Sequence, residues 1–74
     1  MKIILTDHAK ERMALRKITK KMIEATIANP DYKNIGYQKK LLSFKSFKAG
    51  TIKVVYSRSE NFYIIISVIW EKKK

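Results

Sequence analysis

The sequence predicts an α+β domain: a short first strand, then a helical hairpin packed on one face of a four-stranded antiparallel sheet. Three observations lead there. Between Asp7 and Ala28 the pattern is helical, with a threonine before each helix and Asn29-Pro30 closing the second. From Tyr32 onward, four runs are rich in β-branched and aromatic residues. Short polar or glycine-containing segments separate these runs, which favours an antiparallel meander over crossover connections.

Taken in order, Lys2 to Thr6 reads as a first strand entering the body, and Thr6 or Asp7 can cap the first helix by accepting from its free amides. Neither has Glu or Gln three positions later, so no capping box is expected at this end. Ile18-Thr19 reads as a break and a new cap. The second helix then runs from about Lys20 to Ala28 with Met22, Ile23, Thr26 and Ile27 on one face. Helices this short are marginal alone and must be held by docking. The strand runs are Tyr32 to Tyr37, Leu41 to Phe47, Thr51 to Arg58 and Phe62 to Trp70. Lys48-Ala49-Gly50 and Ser59-Glu60-Asn61 are the clearest turns, and Gly36 or Gln38-Lys39-Lys40 supplies the earlier bend. Strict alternation places Ile52, Val54 and Tyr56 on one face of the third run. In the last run it places Phe62, Ile64, Ile66, Val68 and Trp70 opposite Tyr63, Ile65, Ser67 and Ile69. A strand apolar on both faces belongs in the centre of a sheet or under a partner. The basic end Lys72-Lys73-Lys74 is expected to be frayed and solvated.

Seventy-four residues make one domain, near the lower limit for folding without covalent staples. The absence of cysteine removes disulfides and thiolate metal sites together. A single histidine and six dispersed carboxylates give no metal-ligand spacing, so no cofactor is expected. Ile3-Ile4-Leu5 is too short for the apolar region of a signal peptide, and Phe62 to Trp70 is too short to span a bilayer. A cytoplasmic location without membrane attachment is therefore expected. Seventeen basic against six acidic residues give a net charge of +11, which favours an anionic partner, with nucleic acid first.

The most unusual chemistry lies in the first helix. His8, Arg12 and Arg16 recur at i, i+4 and i+8, so on a wheel of about 100° per residue Arg12 lies about 40° and Arg16 about 80° from His8. Leu15 flanks this stripe on one side, and Ala9 and Met13 on the other. The basic groups thus share the arc that holds core-like residues, and they need hydrogen-bond partners where the helix meets the sheet. Histidine exchanges its proton near neutrality and suits acid–base work. Paired guanidinium groups suit a phosphodiester. Each residue has a structural alternative. His8 can bond to backbone or Asp7; Arg12 can pair with Glu24, Asp31 or Glu71 or pack on Trp70; Arg16 lies near a helix C-terminus, where a cation is favoured anyway. Arg58, in phase with Tyr56, can join the cationic group. Trp70 and Tyr63 can stack on bases or fill the core, and Ser67 is a strand hydroxyl.

The run His8-x3-Arg12-Met13-x2-Arg16-x-Ile18, the helix end at Asn29-Pro30, the strand Val54-Val55-Tyr56 and the closing Ile65-Ile66-Ser67-Val68-Ile69-Trp70 together resemble a bacterial family of small domains of unknown function. That family is grouped by fold with the RelE and ParE toxins and, more distantly, with BrnT toxins and barnase-like and colicin-type ribonucleases. The resemblance covers nearly the whole chain. It implies a toxin-like, metal-independent ribonuclease with His8, Arg12 and Arg16 as catalytic residues. Ser67 stands where the family commonly has threonine and would contact substrate, as would Arg58, Tyr56 and Trp70 on the reading of the strands given above. RelE-type toxins often rely on a C-terminal tyrosine; this chain has Trp70 and lysines there, and Tyr56 or Tyr63 would have to stand in. The partners implied are RNA and an acidic antitoxin, with a homodimer as a further way to cover the last strand. Two other functions fit the same residues: a non-catalytic nucleic-acid-binding module and a ParE-like inhibitor of gyrase.

Overall fold

The computed structural model describes residues 1–71; the lysines at 72–74, expected to fray, lie outside them. The elements are β1 (Ile3–Leu5), α1 (Asp7–Arg16), α2 (Lys20–Ala28), β2 (Tyr32–Ile35), β3 (Leu41–Phe47), β4 (Gly50–Arg58) and β5 (Tyr63–Glu71), with one 3-10 turn at Tyr37–Lys39. The fold is α+β, with two helices on one face of a sheet. The sheet has five strands, not four, in the order β1-β5-β4-β3-β2. β1 is a member of it and pairs parallel with β5, Leu5 opposite Ile65, so the sheet is mixed. The other three pairings are antiparallel, as the short connections require.

Both helices begin where their caps predict. Thr6 accepts from the Ala9 amide at 3.1 Å and donates to the Ile65 carbonyl at 2.8 Å, tying the start of α1 to β5. Lys17 ends α1 in the left-handed conformation, φ 55°. Thr19 caps α2 by accepting from Met22 N at 3.2 Å, and Asn29 closes that helix. The bend before β3 uses Gln38 and Lys39, both at positive φ, with Gly36 N donating to Lys40 O. Gly50 opens β4 at φ 147°, and an added Cβ there would lie 3.4 Å from the Trp70 ring.

The core lies between the helices and one sheet face: Ala9 and Ile18, then Ile23, Thr26 and Ile27 of α2, over Ile52, Val54 and Tyr56 of β4 and Ile65 and Val68 of β5. The alternation expected in β5 fails at one place. Val55 pairs with Ser67, but the next residue, Tyr56, pairs with Ile65, leaving Ile66 as the inserted residue of a bulge. The insertion shifts the phase by one, so Tyr63, Ile65, Val68 and Trp70 share the helix-covered face, while Ile64, Ser67 and Ile69 look away. The opposite sheet face has no helix on it.

Candidate functional site on helix α1

α1 lies along β5 with Ala9 buried and Arg12, Met13 and Arg16 half-buried, a spacing of i, i+3, i+4 and i+7. The contact arc is therefore centred between Arg12 and Met13. The drift of about 40° per four residues separates the three predicted groups. His8 stays exposed, Arg12 lies at the margin, and Arg16 reaches the interface. Leu15 flanks the stripe on its solvent side and is 67% exposed.

His8 and Arg12 are together. Arg12 Nε donates to His8 Nε2 at 3.4 Å, a long contact in an exposed setting. None of the acids considered for Arg12 pairs with it; among the described residues the one ion pair is Lys53–Glu71 at 3.8 Å. No buried side-chain nitrogen there lacks a partner, so the remaining Arg12 N–H groups face solvent.

Arg16 has a different task. β1 stops opposite Ile65, so beyond that point β5 has no strand on its outer side. Arg16 Nη1 donates to the Val68 carbonyl at 3.0 Å, and Trp70 Nε1 donates to the Arg16 carbonyl at 2.8 Å. This reciprocal pair satisfies a β5 carbonyl and one of the last carbonyls of α1. Arg16 is a positioning group, and Trp70 is half-buried and engaged with it.

The four residues expected to contact substrate are dispersed. Tyr56 is 2% exposed, with its hydroxyl 2.8 Å from the Ser43 hydroxyl and its ring edge-on to Tyr63, so burial removes it from a surface site. Ser67, opposite Val55, is on the sheet face away from the helices. Arg58 is exposed at the end of β4, opposite Tyr63. The site is thus His8 and Arg12; the helical hairpin also exposes Lys10, on the opposite side of α1, and Lys17, Lys20 and Lys21. No three potential metal ligands cluster among the described residues. On the other side of α1, Leu5, Lys10, Met13, Ala14 and Ile18 line a shallow, mostly apolar hollow of about 410 Å³.

Fold and site define a small basic α+β domain with an imidazole–guanidinium pair on its first helix. The chain belongs to the DUF4258 family, a domain of unknown function, whose profile matches residues 5–70. No curated protein and no solved structure matches it. No helix among the described residues is long and apolar enough to cross a membrane.

Proposed function

We propose that the protein acts on RNA, holding a phosphodiester at His8 and Arg12 and cleaving it without a metal ion. The observation that supports this reading is the exposed His8–Arg12 pair at 3.4 Å with no competing acid, in a chain of net charge +11. Arg12 offers free donors to phosphate oxygens, and its half-buried stem leaves fewer conformations to lose on binding. In the reaction, Arg12 turns from His8 to the phosphate oxygens, and the freed His8 Nε2 takes the proton of a ribose 2′-hydroxyl as that oxygen bonds to phosphorus. Arg12 offsets the charge that develops on the phosphorane. The 5′-oxygen departs with a proton from water, leaving a 2′,3′-cyclic phosphate and a free 5′-hydroxyl. The resemblance to RelE/ParE toxins supports the same reading, and a toxin role and an acidic antitoxin belong to it as proposals.

One observation favours a second reading, in which the basic face holds nucleic acid without chemistry: His8 and Arg12 line neither the hollow beside Met13 and Ile18 nor a second one at the β3–β4 turn around Phe47 and Gly50. Labelled single-stranded RNA in EDTA separates the two. Cleavage by the wild type, with at least about a tenfold loss in His8→Ala and retained binding, is the expected result. Arg12→Ala should lose binding as well, lowering the salt slope by about 0.7 for one phosphate contact. Equal cleavage by a folded His8→Ala removes His8 from the mechanism. Binding without cleavage by the wild type establishes the second reading. Supercoiling by gyrase in the absence of RNA tests the ParE-like alternative. Arrest of cell growth by the wild type and not by Arg12→Ala tests the toxin role.

A further inference from the structure

The sheet face that carries no helix is chemically unlike the rest of the molecule. Its outward positions hold Ile4 of β1, Leu42 and Phe44 of β3, Val55 of β4, and Ile64 and Ile69 of β5. Tyr32, on the edge strand β2, adds its ring, 5.3 Å from that of Phe44. Ser46, Thr51, Ser57 and Ser67 provide hydroxyls between them. The chain has 17 lysines and arginines, yet the outward strand positions carry a single one, Lys53, and it is paired with Glu71 on the same face. Lys33, Lys45 and Arg58 all fall in the opposite phase, towards the helix side. A chain of net charge +11 thus has one face whose described charges cancel, and that face is apolar.

We infer that this face is the contact surface for a second copy of the chain, the two sheets packing face to face. Charge selects the occupant. An anionic partner gains nothing from a neutral face when the helical side is strongly basic. Two copies repel each other least where neither presents net charge. The size is close to sufficient: five strands about 4.8 Å apart, together 32 residues at about 3.3 Å each, give a footprint near 500 Å² before side-chain relief. That approaches the roughly 600 Å² per partner at which stable interfaces begin. Face-to-face packing buries the outward side of β5, leaves the helical hairpins on the two outer sides, and makes the dimer bivalent for an anionic ligand.

Sedimentation equilibrium and light scattering on nucleic-acid-free protein test the inference. The expected species has twice the 8.7 kDa chain mass, with a dissociation constant on the order of 10 µM or tighter. Raising salt from about 50 to 500 mM should tighten it, because screening relieves repulsion between two bodies of like charge. Dimers bridged by RNA would instead weaken over that range. Val55→Lys and Ile69→Lys should each weaken association by at least about 100-fold while circular dichroism stays native; Ile4→Lys, at the 43% exposed edge, is the milder variant if either fails to fold. Leu15→Lys, on the helix side, should leave association unchanged. A wild type that remains monomeric at about 100 µM in high salt overturns the inference, as does a dimer lost with Leu15→Lys and kept with folded Val55→Lys. A monomer whose outward face takes up an acidic protein instead also overturns it.

Discussion

Replacing Tyr56 with phenylalanine deletes one oxygen and leaves the ring in the core. That oxygen lies 2.8 Å from Ser43 Oγ, and both residues are buried, at 2% and 0% exposure. The remaining Ser43 hydroxyl is fully buried and makes no other hydrogen bond among the described residues, so the expected cost is about 1–3 kcal/mol. In a chain of this size about 1 kcal/mol corresponds to roughly 4–8 °C in Tm, so Tyr56→Phe should melt roughly 4–24 °C below the wild type. Ser43→Ala strands the tyrosine hydroxyl and should cost a similar amount. The double variant removes both polar atoms and should lose less than either single change, giving a coupling of at least about 1–3 kcal/mol. Urea unfolding followed by circular dichroism, at one fixed protein concentration, measures all four corners of the cycle. Additive losses would refute the isolated pair. RNA binding should survive in Tyr56→Phe, because the hydroxyl faces Ser43 and not solvent; loss of binding with unchanged stability would place Tyr56 at the surface site after all.

Two further predictions concern how α1 is held. Thr6→Val deletes the oxygen that both caps α1 and donates to the Ile65 carbonyl, and should destabilise by about 1–2 kcal/mol in urea unfolding. Arg16→Met keeps the apolar stem but removes the donor to Val68 O, and should cost about 1–2 kcal/mol with partial rescue by lysine, whereas Arg12→Met should stay within about 0.5 kcal/mol and lose RNA affinity.

Local signals in this chain were legible because local chemistry decides them. Thr6, Thr19 and Asn29-Pro30 bound the helices because caps and proline act on the adjacent residues, and β3 runs over Leu41–Phe47 as its residues predict. What escaped the sequence depends on distant partners. Ile3 to Leu5 reads as a strand, but nothing in three residues reveals that it pairs parallel with an element some sixty positions away. The bulge at Ile66 is invisible because isoleucine occupies 64, 65 and 66 alike, so any phase looks apolar. Tyr56 and Trp70 read equally well as base-stacking or core aromatics until Ser43 and the Arg16 carbonyl are seen to take their polar atoms. The helix stripe was half legible. Its spacing follows from the helix repeat, but which end of the drifting arc meets the sheet is set by where Thr6 and Arg16 attach to β5.

Those two attachments account for the unequal roles of the two arginines. α1 is fixed to β5 by Thr6 at the Ile65 carbonyl and by Arg16 at the Val68 carbonyl, so its rotation about its own axis is set at both ends. Arg12 lies between the two anchors, one turn before Arg16 and about 40° back towards solvent. Its stem is therefore held against the sheet while its guanidinium remains outside, next to His8. A rotation of the helix by one such step towards the sheet would have buried both arginines and forced each to find an internal acceptor; a step away would have freed both and left the Val68 carbonyl unpaired. The observed rotation lets one arginine fix the helix so that the other is presented. The same division recurs at the scale of the molecule, where the helical side gathers the cations and the bare sheet face is left without net charge.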